Sequence, residues 1–121
     1  MSDQHRVVVA ILGEVACVRF NDQKIVDSAN IEEMGEELFA LVEKSHFKHL
    51  LLNFDGVNFM SSAALNKFIM LDKKVKQVGG VLRLCNLVDN ILEVFSITSL
   101  DRVFDIRRTE KEAFKAFGIS E

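Results

Sequence analysis

An α/β fold, with a mostly parallel sheet opened by an antiparallel hairpin, follows from three features of the sequence. Apolar runs of strand length alternate with segments whose apolar residues recur every three and four positions. The later strand-like runs are each followed by a helix, the pattern that demands right-handed crossovers between parallel strands. The two opening runs are separated by only two residues, Gly13-Glu14, which permits a hairpin and no crossover. The predicted order is ββαβαβαβα, about five strands and four helices in one domain over residues 1–121, with its core between about 6 and 118.

The hairpin joins Val7-Val8-Val9-Ala10-Ile11-Leu12 to Val15-Ala16-Cys17-Val18-Arg19-Phe20, and Gly in the leading loop position predicts a type II′ turn. After the polar stretch Asn21-Asp22-Gln23-Lys24, residues Ile31, Met34, Leu38, Leu41 and Val42 share one face of a helix. Asn30 with Glu33 is a variant of the capping box, so Asn30 is the predicted N-cap. Leu50-Leu51-Leu52-Asn53-Phe54 reads as a strand covered on both faces, closed by Asp55-Gly56. From Ser61 the helical spacing returns through Ala64, Phe68, Leu71, Val75 and Val78, which leaves Lys67, Lys73, Lys74 and Lys76 on an exposed basic side. Gly79-Gly80 stops this helix by supplying left-handed backbone angles. Val81-Leu82-Arg83-Leu84-Cys85 is the next strand, and Asp89 is placed to cap a short helix carrying Ile91, Leu92 and Phe95. A weaker strand covers Val103 to Ile106. Thr109 with Glu112 is a regular capping box for a last helix whose apolar face is Ala113, Phe114 and Phe117. Met1 to His5 and Ile119 to Glu121 read as loose ends.

Composition removes several classes of function. The 15 Lys and Arg against 18 Asp and Glu leave a net charge of −3, with no basic surplus for a nucleic-acid backbone or an anionic bilayer. The longest apolar run is Val7 to Leu12, far short of the roughly 20 residues of a membrane helix, and no charged and apolar leader precedes it, so a cytoplasmic location is expected. Cys17 and Cys85 each lie inside an apolar run and are expected to be reduced core residues rather than a disulfide framework or zinc site. All 10 aromatic residues are Phe, so buried rings bring no polar group that needs a partner.

Catalysis needs converging polar groups, and the chain supplies few. His46 and His49 lack a third ligand at a recognisable spacing, so no metal is expected. Gly79-Gly80 follows a helix and precedes a strand, the reverse of a phosphate cradle, and no other glycine-rich loop exists. Glu32-Glu33 and Glu36-Glu37 read as the solvated side of the first helix. Asp55 at a strand end has the position of a receiver-domain phosphoacceptor. The acidic pair after the first strand is replaced by Leu12-Gly13-Glu14, and the lysine after the last by Arg107-Arg108. No base and nucleophile can be nominated, so neither an enzyme nor a cofactor is expected.

The most informative segment is Phe59-Met60-Ser61-Ser62-Ala63-Ala64-Leu65, with two hydroxyls at the start of the second long helix. One serine suffices as N-cap for the unpaired amides of the first turn. A helix start also stabilises negative charge, so a phosphoserine here is physically sensible.

The whole pattern resembles the STAS domain, the family of anti-sigma factor antagonists and of the cytosolic tails of sulfate transporters, from about Val7 to Phe117. The resemblance is carried by the hairpin with Asp27-Ser28-Ala29-Asn30-Ile31 leading into the first helix, and by Leu51 to Leu65 around the family's regulatory serine. Val78 to Asn86 and Val94 to Leu100 add to it. It implies that Ser62 is the phosphorylated position. Where the family commonly has Asp-Ser-Ser-Gly or Asp-Ser-Thr-Gly, this chain has Ser61-Ser62-Ala63-Ala64. The function so implied is that of a bacterial anti-sigma factor antagonist that binds an anti-sigma serine kinase and thereby frees a sigma factor, with phosphate on Ser62 as the off switch. Its partner-binding surface would comprise Asp22, Lys24, Asp27, Ser28, Asn58, Ser61 and Ser62. The alternative from another class is a scaffold or sensor subunit that assembles with itself or related domains, a weak homo-oligomer without phosphate control.

Overall fold

The computed structural model describes residues 5–119. The strands are β1 (Val7–Leu12), β2 (Val15–Phe20), β3 (Lys24–Ile25), β4 (His49–Asn53), β5 (Phe59–Met60), β6 (Val81–Cys85) and β7 (Asp105–Arg107). The helices are α1 (Ser28–Glu43), α2 (Ser62–Gln77), α3 (Asp89–Ile97) and α4 (Glu110–Ala116), with a 3-10 turn at Leu100–Arg102. Five strands form one mixed sheet in the order β1-β2-β4-β6-β7, antiparallel between β1 and β2 and parallel elsewhere. Gly13 takes φ +61 while Glu14 stays out of the left-handed region, as the predicted type II′ turn requires.

Alternation along the strands divides the apolar side chains between two faces. Ala16, Val18, Leu50, Leu52, Leu82 and Leu84 enter a large core beneath α1, α2 and α3, where Met34, Leu38, Phe68, Leu71 and Phe95 meet them. Val15, Cys17, Leu51 and Cys85 enter a smaller cluster that α4 closes with Ala113 and Phe114. The continuous Leu50-Leu51-Leu52 run is explained by this two-sided cover. Both cysteines are buried, and burial pushes the Cys85 thiol up to about 12, with Glu110 adding to the effect.

Several local expectations are corrected. The N-cap of α1 is Asp27, whose carboxylate accepts from the Asn30 amide at 3.0 Å, so Asn30 already lies inside the helix. Asp89 occupies the first turn of α3, and the cap position belongs to Val88 with no side-chain bond. The weak strand begins at Asp105 rather than Val103, because Val103 closes the 3-10 turn. Gly79 takes the left-handed φ of +75, but Gly80 does not; a Cβ on Gly80 would overlap the Lys48 carbonyl, so this glycine serves close approach. The basic side of α2 is partly used: Lys67 pairs with Glu32 at 3.1 Å and Lys74 with Glu43 at 2.7 Å, tying α2 to α1. Of the ends read as loose, Ile119 packs on the smaller cluster and His5 lies 3.6 Å from Glu37; residues 1–4 and 120–121 are outside the described residues. Among the described residues no helix is long and apolar enough to cross a membrane.

Asp105 accepts from Arg107 at 2.6 Å and Arg83 at 2.8 Å, which holds its carboxyl below the usual carboxylate range. A depressed folded pKa contributes stability that is present above the unfolded value and lost as pH falls through the folded one. Asp105→Asn is therefore expected to destabilise at neutral pH, with the gap to wild type closing at acid pH; denaturation across a pH series reads this.

Candidate functional site

The segment before α1 and the segment before α2 are joined by a small sheet that the sequence reading missed. β3 and β5 pair in parallel, Lys24 opposite Phe59 and Ile25 opposite Met60. The Asn58 amide donates to the Gln23 carbonyl at 2.7 Å and the Ser61 amide to the Ile25 carbonyl at 3.0 Å. Each of these two-residue strands runs within a few residues into a helix, so the N-termini of α1 and α2 are held side by side. The pairing brings Lys24, Asp27, Ser28, Asn58, Ser61 and Ser62 onto neighbouring helix starts, and all are at least partly exposed.

The two serines separate in role. Ser61 is the N-cap of α2, its hydroxyl accepting from the Ala64 amide at 3.3 Å. The first intrahelical bond runs from the Leu65 amide to the Ser61 carbonyl, which leaves the amides of Ser62 and Ala63 among the helix's unpaired donors. Ser62 is the first helical residue, exposed, and its hydroxyl makes no hydrogen bond among the described residues. A phosphoryl group on it would stand at the positive end of a 16-residue helix. Ser61→Ala is expected to cost about 1 kcal/mol of stability and Ser62→Ala less than about 0.5, measured by chemical denaturation. A Ser62→Ala penalty as large as that of Ser61→Ala would place the cap on the wrong hydroxyl.

Asp22 is drawn away from this group. Its carboxylate pairs with the Arg6 guanidinium at 3.3 Å, beside the start of β1. In exchange, the structure adds residues that were not selected from the sequence. Phe59 is 49% exposed and Val26 46%, two large apolar side chains flanking the serines. Asn90 donates from Nδ2 to the Asn58 carbonyl at 2.9 Å, so the start of α3 reaches the same loop. A Phe inside a serine-bearing motif was visible in the sequence, but its exposure depends on the two-residue strand that turns it outward. His46 and His49 stand apart, His49 lying 5.6 Å from the Phe117 ring.

These helix starts are fixed further by the buried Asn53 at the end of β4. Its carbonyl oxygen accepts from the Asp55 amide and from Asn86, each at 2.9 Å, and its amide donates to Glu110 at 2.9 Å. A buried amide whose side-chain oxygen and nitrogen are both bonded sets the exit of β4, and so the path of residues 55–61 into α2.

Comparison with known proteins agrees with the architecture. The family model for the STAS domain matches residues 6–113. BtrV of Bordetella bronchiseptica, which carries the name of an anti-sigma factor antagonist, is 33% identical over 103 residues, 85% of this chain and 84% of that protein. An anti-sigma-factor antagonist (STAS) domain protein from Planctomyces limnophilus superposes with a TM-score of 0.83 at 22% identity, covering 93% of this chain and 98% of that one. The Bacillus cell fate determinant SpoIIAA in its phosphorylated form superposes with a TM-score of 0.72 at 17% identity, covering 92% and 98%. With its hairpin-led sheet, its paired helix starts and a family match over nearly all its length, the chain belongs to the STAS domain family, among relatives named anti-sigma factor antagonists.

Proposed function

We propose that this protein is a bacterial, cytoplasmic anti-sigma factor antagonist that binds a serine kinase acting as anti-sigma factor, and that phosphorylation of Ser62 by that kinase ends the complex. The observation that carries the reading is the exposed Ser62 hydroxyl, left without a structural bond because Ser61 caps the helix, beside the exposed ring of Phe59. An aromatic side chain at the centre of a polar rim is the composition of a protein-binding patch. Lys24, Asp27, Ser28, Asn58 and Ser61 supply that rim, with Asp22 at its margin. A phosphoserine adds about −1.5 to −2 charges; the helix start accommodates them, while a partner packed on Phe59 would have to desolvate them. The phosphorylated form of the fold relative SpoIIAA is in keeping with this reading.

The test is calorimetric titration of wild type, Ser62→Ala and Ser62→Asp against an anti-sigma serine kinase of the same organism, with intact mass after incubation with ATP. Wild type is expected to gain one phosphate, and Ser62→Ala none while binding as wild type does. Ser62→Asp is expected to fold normally and bind at least about tenfold more weakly, equivalent to about 1.4 kcal/mol. No phosphate on wild type, together with equal affinities for all three, would overturn the proposal.

A further inference from the structure

Away from the serine site, β1 is the outermost strand of the sheet, and its free edge carries a self-complementary pattern of donors and apolar side chains. Val7 is 6% exposed, but Val8 is 53%, Ile11 62% and Leu12 39%. No residue from Val7 to Leu12 is charged, and none is proline or glycine, so the strand's own residues do nothing to blunt the edge. Val8, Ala10 and Leu12 also line one wall of a groove of about 350 Å³ whose other side includes Glu110 and Phe114 of α4.

The backbone specifies what kind of strand fits. In the hairpin, Leu12 lies opposite Val15 across the two-residue turn, and the Asn21 amide donates to the Arg6 carbonyl. The even residues of β1 therefore bond to β2, and the N–H and C=O groups of Val7, Val9 and Ile11 point off the sheet. The Val7 amide is already taken, since it donates to Glu37 Oε1 of α1 at 3.0 Å. Among the described residues, the outward donors left between residues 7 and 12 are those of Val9 and Ile11.

We infer that this edge receives the same edge of a second copy, antiparallel about a twofold axis at Ala10. Val9 of each copy then faces Ile11 of the other, each pair exchanging two N–H···O=C bonds, and both free donors are used while Val7 keeps Glu37. An axis at Val9 would instead pair Val7 with Ile11 and compete with Glu37 for the Val7 amide. The Ala10 register puts Val8 against Leu12 of the second copy on the groove face and the small Ala10 against its own copy on the axis. This surface is separate from the Ser62 site and stands or falls independently of the proposed function.

Sedimentation equilibrium of the whole chain over a concentration series tests the inference, with Ile11→Lys as the edge variant and its melting temperature as the control for folding. The expected result is a monomer–dimer equilibrium for wild type, weakened at least about tenfold in Ile11→Lys without loss of fold. Register is tested by cross-linking in a Cys17→Ala background, which removes the cysteine that neighbours Ala10 across the hairpin. Ala10→Cys is expected to give an oxidised dimer, since facing residues of a non-hydrogen-bonded pair lie within disulfide reach, and Val8→Cys is not. A monomer at every concentration into the millimolar range overturns the inference, as does a dimer indifferent to Ile11→Lys. Cross-linking through Val8 rather than Ala10 overturns the register. Protection of the Val9 and Ile11 amides that appears only when a different protein is added would assign the edge to a foreign strand and overturn self-pairing.

Discussion

Phe68→Ala is expected to lower stability by about 3 to 5 kcal/mol, enough to leave a typical small domain only marginally folded. The Phe68 side chain is fully buried and stands edge-on to Phe54 at 5.3 Å and to Phe20 at 5.8 Å, while Phe20 and Phe54 lie 4.9 Å apart. The three rings pin α2 to the ends of β2 and β4, two turns along the helix from Ser62. Removing the middle ring leaves a cavity that neighbours held by the sheet cannot fill. Lys73→Ala on the exposed side of α2 is expected to change stability by less than about 0.5 kcal/mol. Lys74→Ala should fall between them, at about 0.5 to 1 kcal/mol, because Lys74 pairs with Glu43 and lies 4.9 Å from the Phe39 ring centre. Urea denaturation of the three variants reads the series, and equal effects would mean that the helix faces are misassigned.

The second large effect is expected at Gly80. A Cβ built there would overlap the Lys48 carbonyl oxygen, a backbone atom that accepts the Val81 amide at 2.8 Å where β6 starts beside β4. Relief requires these two central strands to separate at that end, so Gly80→Ala is expected to cost about 3 kcal/mol, the upper part of the range for overpacking. Gly79→Ala has open space around its Cβ and loses only the ease of a left-handed φ of +75, about 1 to 2 kcal/mol. Denaturation midpoints in the reverse order would show that backbone angle rather than close approach decides this turn.

The Gly79-Gly80 pair illustrates what kind of information a sequence holds. A helix stop was legible there because one glycine after a helical run is the local solution to a left-handed residue. The reason for the second glycine lay 32 positions away, at Lys48, and no local rule points to it. The same division runs through the site. Helical spacing identified the buried faces of α1 and α2, except that Val78 falls past the end of α2 and is exposed, since a helix shows its core side as a period of three and four whatever it packs against. The two-sided burial of β4 was legible in its unbroken leucines for the same reason. The choice of Asp27 over Asn30 as cap was not, because both are short polar residues at acceptable spacing and the β3–β5 pairing decides where the helix begins.

Two strands of two residues are too short to have a period, so the contact that places the helix starts together was hidden, and with it the exposure of Phe59. The serines themselves were visible, but which one caps and which stands free depends on the φ and ψ at Ser61. The opening strand shows the limit most plainly. Val7 to Leu12 is the longest apolar run in the chain, yet the order of strands leaves it at the rim with one neighbour. Sequence alone determined that this segment is extended and pairs through a tight turn, because those are short-range properties of β-branched residues and glycine. Whether its far edge meets another strand or solvent is a property of topology, which only the assembled sheet decides.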